Sequence, residues 1–182
     1  MLVYLHLADG FEEIEALSVV DILRRAEVEI KTVSISGKKE VTGAHNITIV
    51  ADILFENADY SKAEMIVLPG GMPGTLNLEK HKGLAEKIKE FYKKGKWLAA
   101  ICAAPSILGK LELLKGKSAT CYPGFEKYLI GADCSREPVI VSDKIITSRG
   151  PGTAMCFALE LVKIIKGNEL AKKLRKDMIF LE

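Results

Sequence analysis

The residue with most chemistry to offer is Cys102, because of the stretch that holds it: Lys96-Trp97-Leu98-Ala99-Ala100-Ile101-Cys102-Ala103-Ala104-Pro105-Ser106-Ile107. Trp97 to Ile101 is an unbroken apolar run, the form taken by a strand buried on both faces of a parallel sheet. Pro105 suits the first turn of a helix, where its missing N–H needs no partner, and Ser106 to Leu114 can continue that helix. The thiol therefore falls at a strand-to-helix corner. Backbone N–H groups and the helix dipole favour a thiolate there, and two N–H groups beside the sulfur could cradle an oxyanion. This is a nucleophile elbow built on cysteine. The competing reading is a small buried hydrophobe, a common fate of free cysteine, and the segment alone leaves both open.

Other candidate groups are sparse. Glu12, Glu13 and Glu15 open a helix, where carboxylates suit the dipole. Gly70-Gly71, inside Pro69-Gly70-Gly71-Met72-Pro73-Gly74, reads equally as a simple turn or as backbone left free to approach a ligand. Of the three histidines, His6 lies in an apolar strand and reads as a core residue, and His81 reads as exposed. His45 is the one with a route to a crevice. The four cysteines (Cys102, Cys121, Cys134, Cys156) are widely spaced with no CxxC. That argues against a zinc site or a disulfide framework and for a reducing, cytoplasmic setting. No metal or cofactor is expected.

The elements that must position these groups follow from the apolar pattern. Leu2 to Leu7, Val28 to Ile35, Met65 to Leu68 and Trp97 to Ile101 read as buried strands. A helix with Ile14, Leu17, Val20 and Ile22-Leu23 at helical spacing runs to Ala26, and another runs from about Leu78 to Lys94. Val41 and Ile47 to Val50 suggest a small hairpin. Ala119-Thr120-Cys121 suggests a short strand, and Val139 to Val141 with Ile145 to Thr147 suggest a hairpin. Thr153 is the expected N-cap of a helix from Ala154 to Lys166. Gly167 stops that helix and Glu169 to Asp177 forms the last one. Strands alternating with helices imply an α/β fold, a mostly parallel sheet with helices on both faces. In such a sheet, ligands bind beyond the carboxyl ends of the strands, where strand order reverses. The acidic turn, the glycine pair and Cys102 all fall on that edge.

The 182 residues suit one domain, 1–182. Apolar residues at 48%, charged residues at 27% and a net charge of +2 give no case for nucleic acid or an anionic membrane. No apolar run reaches membrane-spanning length, and the N-terminus does not read as a signal peptide. Leu181-Glu182 is compatible with a vector-derived remnant.

Four motifs in order carry a family resemblance: Gly10-Phe11-Glu12-Glu13-Ile14-Glu15, Leu68-Pro69-Gly70-Gly71, Ala99-Ala100-Ile101-Cys102-Ala103-Ala104-Pro105 and Thr147-Ser148-Arg149-Gly150-Pro151-Gly152-Thr153. Together they resemble the DJ-1/ThiJ/PfpI superfamily, most closely its DJ-1 and YajL branch, over essentially the whole chain. The resemblance implies a flavodoxin-like three-layer sandwich, a homodimer, and Cys102 as the reactive residue. Glu15 takes the place of the family carboxyl on the thiol, and Gly71 and Ala103, beside Gly70, take the places of the oxyanion donors. Arg149 is expected to brace its loop at the crevice. Of Arg24 and Arg25, one is placed by the resemblance near a dimer-side mouth of the site. Many superfamily members carry histidine where this chain has Tyr122, ahead of Pro123. A phenol titrates near pH 10 and is a poor base at neutrality, so no Cys-His dyad is available from that position.

The resemblance implies, first, a glutathione-independent glyoxalase or deglycase acting on small reactive aldehydes, with Cys102 as nucleophile and Glu15 as acid/base. The alternative is a redox-sensing, stress-protective, chaperone-like protein acting through Cys102 oxidation. A cysteine peptidase or amidase ranks third, because acyl transfer to a peptide needs a general base.

Overall fold

Leu2–Leu7 (β1) is buried along its whole length and stands near the middle of a seven-stranded sheet. A computed structural model describes residues 1–180; Leu181 and Glu182, read above as a vector-derived remnant, lie outside the described residues. Beside β1 run Glu29–Ser34 (β2), whose outer neighbour is Ile53–Leu54 (β5), and Ala63–Leu68 (β6). Beyond β6 come Trp97–Ile101 (β7), Ile145–Ser148 (β11) and Val139–Ser142 (β10), giving the order β10-β11-β7-β6-β1-β2-β5. Every pairing is parallel except β10 with β11. The chain leaves β1 for β2 on one side and later returns to β6 on the other, so strand order reverses between β1 and β6. A crevice at the carboxyl ends belongs there.

Alternation of side chains along the strands feeds two cores. Val3, Leu5, Ala99 and Ile101 point to one face, where Glu13–Arg25 (α1), Ala154–Lys166 (α5) and Asn168–Asp177 (α6) cover them. Leu2, Tyr4, Leu98 and Ala100 point to the other, under Gly74–Lys80 (α2), Lys82–Lys93 (α3) and Pro105–Lys110 (α4). The result is a flavodoxin-like α/β sandwich of three layers. Two small sheets stand apart, the antiparallel hairpin Glu40–Thr42 (β3) with Thr48–Val50 (β4), and Ser118–Ala119 (β8) parallel to Asp133–Cys134 (β9).

Several expectations are corrected. The helix from Leu78 to Lys94 is two helices, broken at His81, whose Nδ1 accepts the Leu84 N–H at 3.0 Å and caps α3. The helix after Cys102 stops at Lys110 and does not reach Leu114, because Glu112 turns the chain with φ +60°. Thr153 stands at the N-cap position of α5 as expected, but its side chain makes no capping hydrogen bond to the helix. Its hydroxyl instead accepts the Gly150 N–H at 3.1 Å and lies 2.8 Å from Ser148 Oγ. The short β5 and β9 have only two residues each, too few for a periodicity to declare them. Ile14 and Leu17, whose helical spacing helped to declare α1, are 56% and 37% exposed and face outward.

Candidate active site

Four strand ends converge on Cys102. Its own strand, β7, ends at Ile101, and the chain turns at Cys102 with φ +65°, a conformation rare for any residue with a side chain. Such a conformation costs on the order of 1–3 kcal/mol and persists only where its surroundings enforce it. Here they do: the Cys102 N–H donates to Ser148 O at 2.9 Å, at the end of β11, and its carbonyl accepts the Tyr122 N–H at 2.8 Å. Pro105 then opens α4 as its first residue. The corner is pinned on both sides, and the thiol is left half-buried at its tip.

Glu15 comes from the first turn of α1 and is fully buried. Its Oε2 accepts the Gly70 N–H at 2.7 Å, and its Oε1, also buried, has no partner among the nitrogen and oxygen donors of the described residues. The carboxyl and the Cys102 thiol are close enough for each to shift the other's titration. Gly70 follows β6, and its bareness is what lets the two groups approach. A methyl there would sit 2.6 Å from Cys102 Cβ, 2.7 Å from Glu15 Oε2 and 3.0 Å from the sulfur. Gly71 has φ +88°, and a side chain on it would strike the backbone of Glu12. The backbone N–H groups of Ala103 and Gly71 favour the ionised form of the Cys102 sulfur.

The electrostatics couple the two side chains. Burial raises the Glu15 carboxyl to about 7, against the pull of its hydrogen bonds to Cys102 and Gly70, and the Glu12 charge adds to the rise. Burial pushes the Cys102 thiol up; the Glu15 charge and hydrogen bond push it further, and the Ala103 and Gly71 N–H groups pull it back. A thiol lowered by the helix start, as the sequence suggests, is therefore not what the fold produces. The reason is physical: α4 has only six residues, and the sulfur faces a buried carboxyl. Two anions cannot share this space cheaply; the carboxyl ionises first and the thiol keeps its proton, so a thiolate forms when that proton moves to Glu15. When Glu15 carries it, the repulsion of the thiolate is gone.

The remaining candidates divide. Tyr122 is 46% exposed and flanks the elbow through its own N–H. With Pro123, Arg149, Gly150, Pro151, Gly152 and Thr153 it lines a shallow depression of about 190 Å³. Arg149 donates to Arg136 O at 3.4 Å, so it braces the loop before β10. Arg25 sits at the far end of α1 in an exposed ion pair with Asp21 at 2.6 Å, about 15 Å along the helix from Glu15. Arg24 pairs with Asp52 at 3.0 Å. Within the chain, neither arginine joins Cys102. His6 is buried in the sheet against Tyr60, and His81 caps α3. His45 is drawn to Glu13 rather than to the sulfur, with Nδ1 2.9 Å from Oε2. Glu12 and Glu13, read as carboxylates suiting a helix dipole, are instead buried, and Glu13 also accepts the His45 N–H at 2.8 Å. Sequence reasoning missed this clasp, since 32 residues separate its partners.

Comparison with known proteins agrees with the fold. A family model described as the DJ-1/PfpI family matches residues 1–164. The chain is 38% identical over 179 residues to Protein DJ-1 homolog B of Arabidopsis thaliana, covering 97% of this chain and 41% of that protein. It is 35% identical over 180 residues to Protein DJ-1alpha of Drosophila melanogaster, covering 96% of this chain and 82% of that one. The chain thus spans under half the length of its Arabidopsis relatives. Among solved structures, oxidized Toxoplasma gondii DJ-1 superposes with a TM-score of 0.95 at 34% identity, covering 100% of this chain and 99% of that chain. Drosophila melanogaster DJ-1beta superposes with a TM-score of 0.93 at 30% identity, covering 100% and 98%.

Proposed function

The chain belongs to the DJ-1/PfpI family, and from that membership we propose that it is a cysteine-dependent, glutathione-independent enzyme of the glyoxalase or deglycase type. Its substrates are small 2-oxoaldehydes such as methylglyoxal. The observation that carries this reading is the buried Glu15 carboxyl, raised to about 7, set against a thiol on a strained elbow with two backbone N–H groups beside it. That set contains one nucleophile, one acid/base and an oxyanion cradle, and no imidazole. Aldehyde chemistry needs nothing more, whereas peptide hydrolysis needs a base and then an acid for the leaving amine.

The Cys102 thiol proton first passes to the ionised Glu15, leaving a thiolate beside a protonated carboxyl. The Cys102 thiolate attacks the aldehyde carbon while Glu15, protonated, gives its proton to the forming alkoxide, and the Gly71 and Ala103 N–H groups hold the oxygen as charge develops. Glu15, now a carboxylate near its own pKa of about 7, removes the hydrogen from that carbon to give an enediol and returns a proton to the neighbouring carbon. The first hydroxyl's proton passes to the second oxygen, leaving a lactoyl thioester on Cys102. Water hydrolyses the thioester to lactate, and the pair regains its proton. Lactate formation from methylglyoxal in glutathione-free buffer tests this. Wild-type protein turns over, and Cys102→Ala falls at least 100-fold, to background. Equal rates in the two proteins sink the reading.

A second reading rests on the same sulfur. It is half-buried rather than sealed, and N–H donors lie beside it, so a Cys102 sulfenate or sulfinate would be held by Gly71, Ala103 and Glu15. This supports a redox-responsive, stress-protective role. A solved relative is described as oxidized. Intact mass after mild peroxide separates the two, since clean addition of two oxygens at Cys102 without aldehyde turnover favours the redox role. A homodimer in the cytoplasm, with no nucleic-acid partner, completes the proposal.

A further inference from the structure

We propose that Glu12, Glu13 and His45 form a binding site for a zinc-class divalent cation, beside the Cys102–Glu15 pair and sharing none of its reacting groups. The donor atoms of these three residues all lie within 4.8 Å of one another. His45 Nδ1 stands 2.9 Å from Glu13 Oε2 and 3.6 Å from Glu12 Oε2. Two ligands of a tetrahedral zinc ion, each about 2.0–2.2 Å from the metal, stand about 3.3 Å apart. The observed separations bracket that value, so a cation can enter with small side-chain movements.

An independent observation points the same way. The Glu12 side chain is 12% exposed, and its Oε2 faces the His45 imidazole at 3.6 Å, longer than a hydrogen bond. A buried carboxylate without donors is costly unless a cation faces it. Glu13 is also oriented as a ligand should be. Its Oε1 accepts the His45 N–H at 2.8 Å, which fixes Oε2 toward the imidazole; such supporting bonds set ligand geometry. His45 is 68% exposed at its side chain, so an ion has a way in and an open coordination position for water. Two carboxylates and one imidazole suit zinc, cobalt or manganese rather than a thiolate-seeking metal. The bound ion would pin the β3–β4 loop to the start of α1.

The test is titration of chelator-stripped Cys102→Ser protein, which retains the proposed ligands but lacks the exposed thiol of the elbow, with zinc(II) by calorimetry and cobalt(II) by absorbance. The expected result is one equivalent bound, a cobalt d–d spectrum without a sulfur charge-transfer band, and a Tm that rises with zinc concentration. His45→Ala, a change at an exposed position, and Glu12→Gln each weaken affinity at least tenfold. Absence of saturable binding up to millimolar zinc overturns the proposal. So does affinity unchanged in His45→Ala, or a sulfur band that disappears with Cys134→Ser, which would assign the ion to a thiol.

Discussion

At the level of single residues, the chemistry depends on how closely a thiol and a carboxyl are pressed together, and Gly70 sets that closeness. Its missing side chain leaves 2.6–3.0 Å between a notional methyl and three atoms of Cys102 and Glu15, so Gly70→Ala must displace one of the pair. We expect turnover to fall at least tenfold, with a stability loss of about 1–3 kcal/mol, read from lactate kinetics and urea melts on the same sample. Retained turnover would mean that the separation is not critical. Cys102 was legible as an elbow because the apolar run before it and Pro105 after it declare a strand and a helix. Which of Glu12, Glu13 and Glu15 reaches the sulfur was not legible from residue types, since all three suit a helix start; the family motif singled out Glu15. The direction of the thiol shift was misjudged for a related reason. A sequence shows the helix start beside the sulfur but not the depth of burial or the facing carboxyl.

At the level of elements, β1 carries both halves of the account. Its alternate residues feed the two cores, and its carboxyl end leads into Glu15. It also buries His6, fully enclosed with Nε2 2.7 Å from the Tyr60 hydroxyl. Burial, helped by the charge on His81, lowers this imidazole to about 3. The folded chain therefore keeps His6 neutral, while the unfolded chain binds a proton below about pH 6.5. More protons are bound unfolded than folded in that window, so stability falls as pH drops from 6.5 toward 3, by up to about 1.4 kcal/mol per unit. Urea midpoints measured from pH 7 to pH 4 should show this slope, and His6→Gln should flatten it while lowering stability throughout. An equal slope in that variant would assign the acid sensitivity to other groups. The strands β6 and β7 were readable because their apolar runs leave little or no polar face, and β2 because of its β-branched Ile30, Thr32 and Val33. The break between α2 and α3 was not, because the cap depends on a side-chain nitrogen of His81 meeting the Leu84 N–H, a matter of orientation rather than residue type.

At the scale of the whole molecule, α1 and the segment that forms the β3–β4 hairpin each carry exposed apolar residues. Ile14, Leu17, Ile47 and Val50 are 56%, 37%, 52% and 67% exposed, and Glu13 ties the hairpin to the helix through the backbone of His45. Large exposed apolar residues gathered on one side mark an interface, and members of this family are commonly dimeric. A two-fold contact uses the same patch on both subunits, so Ile14→Glu should place two like charges at its centre. We expect wild-type protein to sediment as a dimer and Ile14→Glu to dissociate at micromolar concentration with its fold intact by circular dichroism. A monomeric wild type would remove the dimer from the proposal. The periodicity of α1 could not separate these outward residues from core ones, because a helix apolar over more than one face needs two partners and the sequence names neither.

The division of labour between Cys102 and Glu15 is tested most directly by exposing Glu15→Gln to methylglyoxal, with intact mass and released lactate read on the same sample. The sulfur can still add to the aldehyde in this variant, but the carbon-bound hydrogen has no base to take it. The account predicts a covalent adduct at Cys102, absent in Cys102→Ala, with lactate release reduced at least 100-fold from wild type. Lactate released by Glu15→Gln at the wild-type rate would contradict it.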